Sequence, residues 1–89
     1  MHIYISMTKR LSEFTTGKIL RVVNVLGGNN FRSRLIELGF VKDAIIKIEN
    51  ISPMRHSFLI SCQNSLIALK LNAVNMIEVK EIIVNKRYI

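Results

Sequence analysis

The sequence predicts a mainly β fold, a small barrel or curled sheet of five short strands with one helix on its rim. Three observations carry that prediction. Apolar and polar residues alternate over short runs between residues 18 and 84, the period of strands buried on one side. Turn-forming residues separate those runs at close intervals. Only one stretch, GGNNFRSRLIELGF at 27–40, has helical spacing together with its own start and stop signals. The chain has 89 residues, 49% of them hydrophobic, and a single proline. That is enough for one folded domain and too little for two independent cores. The domain is expected over residues 8–84, with 1–7 as an N-terminal extension and 85–89 as a mobile tail.

Leu11 and Phe14 lie three apart and are closed by Gly17, which reads as one helical turn followed by a tight turn. Lys18 to Leu26 is rich in aliphatic and β-branched residues and stops at Gly27-Gly28, so it reads as a strand. Its apolar residues fall on both faces, as in a strand that crosses between the layers of a small barrel. In Ala44 to Asn50, Ala44, Ile46 and Ile48 face one way while Lys47 and Glu49 face the other. Ser52-Pro53 ends that strand, because proline has no amide to donate. Phe58, Ile60 and Cys62 form the inner face of the next strand. Asn64-Ser65 is read as its hairpin turn, and Ser65 to Lys70 as the return strand. Leu71 to Asn75 is a short connection. Ile77 to Val84 is the last strand, and its alternation slips near Glu81, where a bulge or the end of pairing is expected.

The helix is expected over Phe31 to Leu38. Asn29 or Asn30 would cap its first turn, and Phe31, Leu35 and Leu38 would form one apolar stripe plugging an open end of the barrel. Gly39 suits the left-handed conformation that stops a helix, after which Phe40 folds back onto Leu35.

The longest uncharged run, Ser57 to Leu69, carries Ser, Gln and Asn and is too short to span a bilayer, so no membrane insertion is expected. The first residues, MHIYISMTKR, place apolar residues before charges, the reverse of a secretory signal, and a cytoplasmic location is expected. A lone cysteine, Cys62, agrees with a reducing compartment. The formal net charge of +7 favours an acidic partner, yet no basic run exceeds Lys9-Arg10 or Lys86-Arg87.

No constellation for catalysis emerges, and no cofactor is expected. Gly27-Gly28 lacks the Lys-Ser/Thr partner of a phosphate-binding loop. Cys62 lies in register with Phe58 and Ile60, where a free cysteine behaves as a small core residue, although spacing leaves its proximity to His56 open. Stable metal binding takes three or four ligands, whereas His2, His56 and Cys62 are scattered and the acidic residues do not pair. No metal site is therefore expected.

The segments LSEFTTG at 11–17, RVVNVLGG at 21–28, RSRLIELGF at 32–40, ISP at 51–53 and IALK at 67–70, with the spaced Ala73, Ile77 and Val79, resemble the FeoA family. These are small cytoplasmic proteins of bacterial ferrous iron transport. Asp43 and Asn64 stand at turn positions where the family usually carries glycine; both tolerate positive φ. Met54-Arg55 stands where Gly-Asp is frequent, and Asn72 where an acidic residue is usual. The resemblance implies an SH3-like barrel with one short helix and a helical turn near the N-terminus. It also implies a non-enzymatic accessory role beside a membrane ferrous iron transporter with a cytoplasmic G-protein domain (FeoB-like). The expected partner contacts are Arg32 on the outward side of the helix, Lys42 in the loop after it, and Met54 and Arg55 in the proline loop.

Two other functions fit a small basic barrel. RNA binding would need aromatic residues on an outer face for stacking, but Phe14, Phe31, Phe40 and Phe58 all read as inward, leaving Tyr4 and Tyr88 in the termini. No nucleic-acid partner is therefore expected. A regulatory barrel similar to the C-terminal domain of iron-dependent repressors would lack the helix-turn-helix needed to bind an operator itself.

Overall fold

The computed structural model describes residues 2–5 and 7–85, with side-chain burial from Met7 to Ile83. Among the described residues, seven strands run in chain order: β1 His2–Ile5, β2 Lys9–Arg10, β3 Ile19–Val25, β4 Ile45–Ile51, β5 Ser57–Cys62, β6 Ser65–Lys70 and β7 Ile77–Asn85. Helix α1 spans Asn29–Glu37, and a single turn, α2, spans Leu71–Val74; Leu11–Glu13 forms a 3₁₀ turn. The sheet order is β1-β7-β3-β4-β5-β6, every pair is antiparallel, and β2 adds to β7. The five strands read from the sequence are β3 to β7. The short strands β1 and β2 extend the sheet, and α2 replaces what the sequence gives as a plain connection.

The core is built by alternation. Ile46 and Ile48 from β4, Phe58, Ile60 and Cys62 from β5, and Ile77 and Val79 from β7 are all buried. Leu11, Leu20, Val22, Phe40 and Val74 join them. On β3 the pairing shifts between Val22 and Asn24, so Val23 is an extra residue. That bulge reverses the parity of the strand, and Val22 and Val25 both turn inward although they are three apart. The apolar residues on both faces of this segment are explained by the bulge.

No register shift occurs on the β7 side near Glu81. There β7 changes partners: Leu20 of β3 is opposite Glu81, and Ile5 of β1 is opposite Ile82. The slip in alternation marks the end of pairing with β3. The β5–β6 hairpin turns at Gln63-Asn64, one residue earlier than expected, with φ of 49° and 67°. Two successive left-handed residues make the turn whose twist matches its strands. Asp43 also has positive φ, 71°, as its turn requires. Of the segments expected to lie outside the domain, His2–Ile5 pairs with the end of β7, and residues 86–89 lie outside the described residues.

Candidate docking surface

The helix is held between two backbone reversals. Gly27 follows β3 at φ 99°, and a Cβ there would stand 2.9 Å from the Phe31 ring, so a side chain at this position would be strained and would force that ring to shift. Gly28, not an asparagine, is the N-cap, and no side chain caps the first turn. Asn29 and Asn30 already lie inside the helix. At the other end Gly39 has φ 110°; its amide donates to the Ile36 carbonyl and the Phe40 amide to the Leu35 carbonyl, each at 3.0 Å. These two bonds satisfy carbonyls the helix would otherwise leave open.

This stop decides which residues close the barrel. Leu35 is buried, Phe31 is half-buried against the core, and Phe40 is fully buried. Leu38, expected on the same stripe, is 46% exposed. The reversal at Gly39 swings Phe40 under the last helical turn, so Phe40 takes the core position and Leu38 is left on the flank.

Arg32 does not face freely outward. Its Nε donates to the Val25 carbonyl at 2.9 Å, tying α1 to the end of β3, and the side chain is partly buried. Its Nη1 and Nη2 have no hydrogen-bond partner among the described residues. Lys42 follows two residues after Phe40, exposed and in no ion pair among the described residues. The Asp43 amide donates to the Val22 carbonyl at 2.7 Å, which fixes this loop to β3.

Arg32 and Lys42 thus line one groove of about 210 Å³, whose walls are Val22 to Val25, Ile36, Phe40 and Val41. Ile36 and Val41 are 43% and 38% exposed. No carboxylate lines the groove. The nearby Asp43 turns instead toward Arg21, with 3.7 Å between carboxylate and Nε. The sequence singled out the two cations but not Ile36 and Val41. Their signal was present: both are apolar residues that fall off the helical stripe.

Met54 and Arg55 belong to a different contact set. Arg55 sits at φ 57° and donates from Nη2 to the carbonyls of Ser12 and Phe14 at 2.7 and 3.1 Å. Its guanidinium carbon lies 5.3 Å from the centre of the Phe58 ring. The arginine expected as a docking contact therefore clasps the proline loop to the 3₁₀ turn. Met54 at the tip of that loop is 74% exposed.

A second, larger groove of about 550 Å³ lies on the other flank of α1, lined by Phe31, Leu35, Leu38, Leu69 and Ala73 together with Arg34 and Glu37. Its two charges oppose each other. Elsewhere, Cys62 is buried, and burial pushes its thiol pKa up, so it stays neutral at physiological pH. His56 and Cys62 flank opposite ends of β5, about 20 Å apart at strand rise, so this pair does not meet. Among the described residues no three of His, Cys, Asp and Glu come together around a common point. Nor is any helix among them long and apolar enough to cross a membrane.

Comparison with known proteins agrees with this architecture. Residues 9–81 match the model of the FeoA domain. A crystal structure of an iron uptake regulatory protein (FeoA) is 31% identical, with a TM-score of 0.77, covering 84% of this chain and 99% of that one. The solution structure of the FeoA protein from Chlorobium tepidum is 27% identical, with a TM-score of 0.77, covering 82% of this chain and 70% of that one. A FeoA-like protein from Clostridium acetobutylicum, 17% identical, shares the fold with a TM-score of 0.80 over 93% of this chain and 96% of its own. The SH3-like barrel expected from the sequence is the fold they have in common. No match was found among curated proteins. With the family domain spanning most of its length, and its barrel superimposing on solved FeoA proteins, this chain belongs to the FeoA family.

Proposed function

We propose that this protein is a cytoplasmic, non-enzymatic accessory protein of bacterial ferrous iron uptake. It docks on the cytoplasmic G-protein domain of a membrane iron transporter and supports or regulates it. The observation that carries this reading is the cation-edged groove held open between β3 and α1 on a rigid barrel of this family. Rigid presentation reduces the ordering cost of binding. Arg32 and Lys42 are its charged contacts, and Met54, presented by the Arg55 clasp, adds an apolar one. A solved relative described as an iron uptake regulatory protein supports the same assignment.

RNA binding is disfavoured by the placement of the aromatics: Phe14, Phe40 and Phe58 are buried and Phe31 is half-buried, so none offers a stacking face. Tyr4 and Tyr88 lie outside the described side chains. The test is affinity capture on the tagged protein from detergent-solubilised membranes of its own organism, with mass-spectrometric identification and nuclease treatment. A polytopic protein with a G domain should be retained in nuclease-treated samples. Recovery of RNA in place of such a transporter would overturn the reading.

A further inference from the structure

We infer that the groove between β3 and α1 seats an acidic segment of the protein partner, with a carboxylate on the Arg32 guanidinium and an aliphatic side chain between Ile36 and Val41. This rests on the docking reading above and adds what the partner must present.

Four features of the groove select that chemistry. Its lining contains Arg32 and Lys42 and no carboxylate, and the nearest acid in sequence, Asp43, leans on Arg21. Arg32 is held by the bond from Nε to Val25, which leaves Nη1 and Nη2 in a fixed fork. A fixed fork is matched best by the two oxygens of a carboxylate. Ile36 and Val41 both expose aliphatic surface in the lining of the same groove, so the occupant carries an apolar anchor beside its acid. Finally, about 210 Å³ lies below the roughly 300–1,000 Å³ of small-molecule sites, so side chains fit where a nucleotide or cofactor does not. The larger groove on the far flank of α1 has no such preference, because Arg34 and Glu37 cancel there.

The test compares charge changes on the two flanks of the same helix. The organism's ferrous iron transporter, solubilised in detergent and immobilised, is titrated with the wild-type protein and with Lys42→Glu, Arg32→Gln and Arg34→Glu, each first checked by melting. Arg32→Gln should weaken binding by about 10-fold or more, as for an arginine at the centre of an interface, and Lys42→Glu by a similar factor, because a reversed charge at the rim repels the acidic segment. Lys42→Glu should also flatten the salt dependence. Arg34→Glu should bind like wild type. Should Arg32→Gln lose its fold along with the Val25 contact, Lys42→Glu still decides the matter. Undiminished binding by Lys42→Glu, with wild type binding, overturns the groove assignment and leaves the docking reading standing. Equal losses in Lys42→Glu and Arg34→Glu overturn it too, since net charge would then be the cause. Absence of wild-type binding overturns both.

Discussion

At Gly39 the backbone turns through φ 110°, and a Cβ built there would stand 3.1 Å from the sulfur of Cys62. Two separate penalties therefore oppose any other residue. The left-handed conformation costs an L-residue about 1–2 kcal/mol, and the added methyl requires the buried Cys62 side chain to give by a few tenths of an ångström in a close-packed interior. Gly39→Ala should lower the unfolding free energy by about 2 kcal/mol in urea denaturation. Removing the sulfur relieves the second penalty but not the first. Cys62→Ala should accordingly cost less in the Gly39→Ala background than in wild type, with a coupling of roughly 0.5 kcal/mol or more. Fully additive costs would mean that the glycine is required by its dihedral alone. The same scale separates the two arginines expected at the surface. Both have a partner inside the chain, but Arg32 commits only Nε to Val25, whereas Arg55 spends Nη2 on two carbonyls and lies over Phe58.

Among the elements, β7 connects the family domain to what lies beyond it. Up to Glu81 it pairs with β3; from Ile82 it pairs with β1, in a ribbon only two strands wide. The family match ends at residue 81, where that ribbon begins. A two-stranded ribbon is marginal in water on its own. Deleting residues 1–5 should therefore leave the unfolding free energy within about 1 kcal/mol of wild type, close to the cost of opening a frayed end. Amides of Ile82 to Asn85 should exchange faster than those of β4 and β5. Collapse of the fold on deletion would show that β1 supports the barrel itself.

For the molecule as a whole, the five main strands, the helix and the glycine stop were legible in the sequence, because period and turn chemistry are local. What was not legible depends on pairing across the fold. The bulge at Val23 follows from how β3 meets β7, and the burial of Phe40 in place of Leu38 follows from where the chain goes after the reversal. The site was half legible. Charge and position singled out Arg32 and Lys42, but only the folded chain brings them beside Ile36 and Val41 and ties the exposed Arg55 to the 3₁₀ turn. Docking through the β3–α1 groove is tested most directly by methyl-labelled protein in complex with the transporter in detergent micelles. Methyl signals of Val23, Ile36 and Val41 should broaden selectively, while those of Ile45 and Leu66, exposed outside this groove, keep their linewidths. Selective broadening at Ile45 or Leu66, with Ile36 and Val41 unchanged, would contradict docking through this groove.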